Sequence, residues 1–340
     1  MIDLISDTVT RPTPGMLEAM LRAEVGDDVF GEDPTVNTLE EKAADLFGME
    51  SALFCASGTM TNQIAIKVHT QPGDEVICHQ LAHIYLYEGG GMMFNSGVSV
   101  RLVGSPDGLM NAADVEGGVA EPDNIHAART RLVAVENTSN RGGGTCFDFA
   151  EVEAIGEVAR RHRLGFHLDG ARLFNALAAS GGSPRNYGAA FDSISICLSK
   201  GLGCPVGSLL LGERDFVREA RRIRKRFGGG WRQAGMLAAA GIYALDHHVE
   251  RLSEDHAKAA RLGECLAGRH WVAGVNPVQT NIVIFALRDP ARDQQLKQAL
   301  QDSGVRAMNM GQGRVRMVTH LDVGMAEIDR VCDILAGLSL

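Results

Sequence analysis

The chain has 340 residues, of which 45% are apolar and 22% charged, the balance of a globular protein with a large core and room for two domains. A net charge of −9 argues against general nucleic-acid binding, and no apolar run approaches the roughly 20 residues that span a bilayer. The opening "MIDLISDTVTRPTPG" lacks the basic-then-apolar layout of a signal peptide. The seven cysteines form no CxxC pair, so reduced thiols in the cytoplasm are expected, with neither a disulfide framework nor a zinc site.

In chain order, "ALFCASGT" (52–59) reads as strand then turn, and "MTNQIAIKVH" as the helix after it. "EVICH" (75–79), "SVRLVG" (99–104) and "RLVAVENT" (131–138) read as further strands. "FAEVEAIGEVARRHR" (149–163) places Phe149, Val152, Ile155 and Ala159 at helical spacing. "LGFHLDGAR" (164–172) and "DSISICLSK" (192–200) are strands ending in polar residues, and "VGSLLLG" (206–212) suits an antiparallel neighbour. Such alternation predicts an α/β fold, a mostly parallel sheet covered on both faces. Beyond a long helix the pattern changes. "NIVIFAL" (281–287), a helix around 293–304 and "RVRMVTHL" (314–321) predict a smaller C-terminal α+β domain, so the division is 1–246 and 247–340.

Ligands of open parallel sheets sit at the carboxyl ends of strands, and the unusual residues fall there. Ser57, Gly58 and Thr59 open a helix, either as an ordinary cap or as a phosphate cradle of free N–H groups. Asp169 and Arg172 follow another strand, as a local ion pair or with the carboxylate reserved for a protonated ring nitrogen. Lys200 stands alone among small residues in "SICLSKGLGCPVGS" (195–208), as a surface amine or as a nucleophile toward an aldehyde. His83 follows "EVICH", as a structural residue, a flat stacking ring or an acid–base group; His126 looks like a helix-terminal polar residue. One ligand accounts for the lysine, the acid and the small-residue turn together: pyridoxal phosphate, with its aldehyde, pyridine ring and phosphate.

These residues sit in motifs that resemble the L-threonine aldolases, of low-specificity or L-allo-threonine type. The motifs are "SDTVT" (6–10), "GDDVFGEDP" (26–34), "SGTMTN" (57–62), "AHIYLYE" (82–88), "HLDGARLFNA" (167–176), "SICLSKGLGCPVGS", "GGGWRQAG" (228–235) and "RMVTHLD" (316–322). The resemblance implies the aspartate-aminotransferase-like fold of pyridoxal phosphate enzymes, with a mostly parallel seven-stranded sheet between helices. It implies that Lys200 forms the Schiff base, Asp169 bonds the pyridine nitrogen, His83 stacks on the ring, and Ser57, Gly58 and Thr59 hold the phosphate. Arg232 would reach a neighbouring subunit's phosphate. Ser6, Arg172 and Arg316 would bind the substrate carboxylate, and His126 would lie near the substrate hydroxyl. His83 and His126 are then the candidate bases. A homotetramer built of dimers that share active sites completes what is implied; composition argues for the cytoplasm and against nucleic-acid or membrane partners, and no metal-ligand cluster is evident, although carbonyls in the loop after Lys200 could hold an alkali ion. The activity is cleavage of β-hydroxy-α-amino acids to glycine and an aldehyde. Two departures bear on how the substrate side chain is held: Ser139 where the family often has histidine, and Phe30 where tyrosine is common.

Rival readings are an aminotransferase, a β-eliminating lyase, or a non-catalytic protein on the same fold. A nicotinamide dehydrogenase fails for want of G-x-G-x-x-G after the first strand. The basic run "RRIRKRF" (221–227) reads as a solvated helix face or a route to a subunit interface, and Cys197 and Cys204 as packing residues.

Overall fold

A computed structural model describes residues 1–338. The strands are β1 (Ile2–Asp3), β2 (Ser51–Cys55), β3 (Asp74–His79), β4 (Ser99–Val103), β5 (Arg129–Glu136), β6 (Gly165–Gly170), β7 (Ser193–Cys197), β8 (Ser208–Gly212), β9 (Val272–Val275), β10 (Ile282–Leu287), β11 (Val305–Arg306), β12 (Met308–Gly311) and β13 (Arg314–Val318). The large sheet has the order β2-β8-β7-β6-β5-β3-β4. Its members are parallel except β8, which runs antiparallel to both β7 and β2. Runs such as "SISIC" and "SLLLG" are buried on both faces, as strands between two helical layers must be. The Phe149–His162 helix turns Val152, Ile155 and Ala159 onto one face of the sheet. The Gly58–His69 and Arg214–Arg226 helices cover the other with Ile64, Ala65, Val217, Ala220 and Ile223.

The C-terminal part has a four-stranded antiparallel sheet, β12-β13-β10-β9, and its own core around Trp271, Phe285 and Met317. β1 pairs in parallel with β11, so Ile2 and Leu4 pack in that second core although they open the chain. The Leu252–Ala267 helix belongs to both cores, giving Leu252 to the first and Ala259, Leu262 and Leu266 to the second.

The basic run divides. Arg224 is buried, donating to Asp28 at 2.7 Å and to the Phe54 carbonyl at 2.6 Å, and Arg221 reaches Glu40 at 2.6 Å. The face at 221 and 224 therefore clamps the helix to the sheet edge and is not solvated. No helix among the described residues is long and apolar enough to cross a membrane.

Register places the site. Glu136 of β5, Asp169 of β6 and Ser195 of β7 are successive neighbours across the sheet, a polar row at the carboxyl ends of strands that are otherwise apolar.

Candidate active site

Three buried carboxylates converge below the cleft. Asp169 is 2% exposed; its Oδ1 accepts from the Ala171 N–H at 3.2 Å and its Oδ2 from Asn62 Nδ2 at 2.9 Å. The same amide donates to Glu88 Oε1 at 3.0 Å, and Gln63 Nε2 donates to Glu88 Oε2 at 2.6 Å. Glu88 Oε1 faces His83 Nδ1 at 3.0 Å. Glu136 receives the His83 N–H at 2.7 Å and the Asn140 N–H at 2.9 Å. Burial, then the nearby Asp169 charge, push Glu136 up to about 7. Burial works against a charged His83, but the Glu88 hydrogen bond and the Asp169 charge outweigh it and raise its pKa. His83, Glu88 and Asp169 each bring an atom within 4.8 Å of the others. The Asn62, Gln63 and imidazole donors occupy their lone pairs, so hydrogen bonds already account for this cluster.

Lys200 sits on the other side of the cleft, just past β7. Among the described residues its Nζ has one polar neighbour, Cys197 Sγ at 3.8 Å, and no carboxylate. The Thr10 hydroxyl holds its carbonyl at 3.0 Å. Its charge is felt by both Asp7 and His83. The start of the Gly58–His69 helix presses against the same strand end: a Cβ on Gly58 would lie 2.6 Å from Cys197 Sγ, so this position needs glycine. Ser57 caps that helix, accepting the Met60 N–H at 3.2 Å, and Thr59 is exposed beside it. The first N–H groups of a helix have no partner within it, and here they form a donor cradle.

Two arginines close the third side. Arg172 forks onto Asp7 at 2.8 and 2.7 Å, and Asn281 adds a donor to Asp7 at 3.1 Å. Burial alone would raise the Asp7 carboxyl, yet Arg172 overrides it and holds it at about 2. Arg316 donates to Asn140 Oδ1 at 2.6 Å, an oxygen that Arg172 Nη1 also approaches at 3.4 Å, and to the Ile5 carbonyl at 3.2 Å. Its buried Nε has no partner among the described residues. Burial, and then the like charge of Arg172, bring Arg316 down to about 10. Two guanidiniums sharing one neutral amide oxygen, with one carboxylate between them, leave room for a second anion. Ser6 lies beside Asp7, its hydroxyl accepting from Thr8 at 2.9 Å.

The structure thus gathers Ser6, Ser57, Gly58, Thr59, His83, Asp169, Arg172, Lys200 and Arg316 around one cleft. It does not bring His126 or Arg232 there within one chain. His126 is exposed on the loop that enters β5, at the opposite end of the sheet from Glu136; seven residue steps of strand separate Arg129 from Glu136, about 23 Å. Arg232 is exposed and pairs with Asp27 at 2.9 Å. Of the two departures, Phe30 is exposed, and Ser139 is buried with its Oγ accepting the Gly142 N–H at 3.2 Å. Cys197 and Cys204 are buried, and burial pushes Cys204 up to about 12. Sequence reasoning missed Asp7, Asn62, Gln63, Glu88, Glu136 and Asn140. A usable signal existed for the acids and for Asn140: each lies in or beside a strand-end motif that also carries a recognised residue.

A family model described as beta-eliminating lyase matches residues 3–290. The chain is 44% identical over 335 residues to the low specificity L-threonine aldolase of Escherichia coli K12, covering 97% of each chain. It is 41% identical over 333 residues to low-specificity L-threonine aldolase 1 of Arabidopsis thaliana, covering 96% of this chain and 93% of that one. A solved structure, the threonine aldolase of Leishmania major, shares the fold with a TM-score of 0.85 at 24% identity over 99% of both chains.

Proposed function

The chain belongs to the beta-eliminating lyase family and, within it, to the threonine aldolases, and on that footing we propose that it cleaves L-threonine, L-allo-threonine and related β-hydroxy-α-amino acids to glycine and an aldehyde, reversibly, with pyridoxal 5′-phosphate as cofactor. The residues suit that cofactor. Lys200 is an amine without an acid partner, Asp169 is a buried acceptor facing the same cleft, and the Ser57–Thr59 turn offers unpaired N–H groups. Lys200 would hold the aldehyde carbon, Asp169 the ring nitrogen, His83 the ring face, and Ser57, Gly58 and Thr59 the phosphate. Bound there, the cofactor supplies an electron sink for the pair left on the substrate Cα when a bond to that carbon breaks.

The chain's own side chains decide which bond that is. Arg316 and Arg172 take the substrate carboxylate, with Ser6 at its edge, and this grip stands the Cα–Cβ bond in the orientation that cleaves. Lys200 would tether the cofactor through its aldehyde carbon whenever no substrate amine is bound there. His83, whose Nδ1 is committed to Glu88, keeps Nε2 for the β-hydroxyl proton, taken directly or through a water. As that proton leaves, the Cα–Cβ bond breaks and the aldehyde departs; a proton returned to Cα completes glycine. The observation that carries the reading is the buried Arg316, which among the described residues has no carboxylate partner and an unmet Nε, beside a lysine that has no carboxylate of its own.

Assembly into homotetramers whose dimers share sites would give His126 and Arg232 their implied roles, since both are exposed and could serve another copy. All seven cysteines are unpaired, which supports the cytoplasm as the compartment. The first test is aldehyde release from L-threonine, L-allo-threonine and D-threonine with pyridoxal phosphate added. Acetaldehyde from an L isomer is expected. A keto acid without glycine would replace the aldolase with an aminotransferase or a β-eliminating lyase.

A further inference from the structure

Behind Asp169, under the Gly58–His69 helix, side chains with no part in the proposed reaction form a continuous chain. His69 Nε2 lies 2.8 Å from Ser193 Oγ, and Ser193 Oγ lies 2.9 Å from His167 Nδ1. His167 Nε2 lies 3.1 Å from Asn62 Oδ1, and Asn62 Nδ2 reaches Asp169 and Glu88. Ser193 and His167 are fully buried and Asn62 nearly so. The direction of every link follows from the carboxylate end. Ionised carboxylates only accept, so the Asn62 NH₂ must face them and its carbonyl must face His167. His167 Nε2 then carries a hydrogen. Burial pushes His167 down to about 3 and His69 down to about 4, so both rings are neutral at ordinary pH. A neutral His167 accepts at Nδ1, the Ser193 hydroxyl donates to it, and His69 Nε2–H donates to Ser193. Four side chains, each donating toward the next, point their dipoles at Asp169.

We propose that His69, Ser193, His167 and Asn62 are positioning residues that hold Asp169 as an aimed, ionised acceptor for the cofactor's ring nitrogen. The proposal rests on the cofactor reading above. The other groups facing Asp169 cannot perform this role. Glu88 and Glu136 are themselves acceptors, already engaged by other donors, and His83 is committed to Glu88. Ala171 N–H fixes only Oδ1, leaving Asn62 as the one side-chain donor to Asp169 among the described residues. A polar network of this kind acts as a unit, because reversing one link orphans the next.

The test uses holoenzyme and two readouts: the pH titration of the bound cofactor's visible absorbance without substrate, and kcat and KM for L-threonine. Asn62→Asp keeps the shape and removes the donor. The titration midpoint is expected to move by about one pH unit or more, kcat to fall about tenfold or more, and KM to change less than about threefold. His167→Leu should move both readouts the same way, and His167→Gln, which restores a donor toward Asn62, should recover part of the loss. Ser193→Ala removes a single hydroxyl and keeps the test open if the others do not fold; its midpoint should shift in the same direction by less. Variants that lose thermal stability but keep the wild-type midpoint and kcat would overturn the proposal, leaving a mere scaffold. A wild-type chain that shows no visible band with pyridoxal phosphate would instead overturn the cofactor reading, and this inference with it.

Discussion

The two walls of the cleft are built on opposite principles. On the Asp169 wall every carboxylate is met by donors: Asn62, Gln63, His83, and the backbone of Asn140 and Ala171. Facing it, on the sides formed by Lys200 and the two arginines, an amine has only a distant thiol and Arg316 keeps a buried Nε without a partner among the described residues. An unmet buried donor such as Arg316 Nε is costly in a folded protein, and beside the half-buried Lys200 amine it marks the side on which a further group is proposed to bind. A saturated wall positions; an unsaturated wall receives.

The sharpest way to break this contrast is to empty the receiving wall. Lys200→Ala should remove the cofactor's protein-bound absorbance band and cut kcat by about a thousandfold or more, read by spectroscopy and aldehyde release. Arg316→Ala should raise KM for L-threonine on the order of a hundredfold with a small change in melting temperature, because that arginine has no carboxylate partner to abandon. Arg172 sits on both walls. Arg172→Ala should destabilise the chain by about 3–5 kcal/mol in denaturant unfolding, because it strands Asp7 as a buried unpaired charge.

Smaller effects refine the contrast. Asp7 titrates lower in the folded chain, near 2, than its ordinary 3.8, so its stabilising contribution is complete above about pH 4 and is lost as pH falls through 2. That difference is worth about 2 kcal/mol, and Asp7→Asn should flatten the acid limb of a stability–pH curve accordingly. Glu88→Gln removes a charge that raises His83, so the acid limb of the pH–rate profile should move to lower pH. An unmoved limb would exclude His83 as the titrating base. Phe30→Tyr, at an exposed position, should change kcat by less than about twofold unless another copy covers it.

The receiving wall was the legible one. A lone lysine among small residues and an arginine after a strand violate expectation locally, so the sequence exposes them. On the saturated wall Asp169 and His83 stand out at strand ends, but the residues that meet them look ordinary. "MTNQIAIKVH" reads simply as a helix in which Asn62 and Gln63 carry no local mark, and only the carboxylates of Asp169 and Glu88, distant in sequence, make their burial favourable. His167 is likewise one residue in an apolar strand until Ser193 and Asn62 flank it. The large sheet was read nearly strand for strand, including antiparallel β8, because fully buried strands are continuous apolar runs. β9 and β12 escaped notice: four residues each and partly exposed, they carry no such run.

The pairing of β1 with β11 has a consequence for synthesis. Ile2 and Asp3 cannot find Val305 and Arg306 until nearly the whole chain has emerged, on the order of tens of seconds after they leave the ribosome. Leu4, fully buried in the native state, spends that interval exposed, and its carbonyl awaits the Val318 N–H. The same late stitch sets Ile5 against Arg316 and Asp7 against Asn281. The nascent chain can therefore complete its large sheet early, while the proposed grip on a substrate carboxylate closes only when Ile5 and Asp7 meet Arg316 and Asn281.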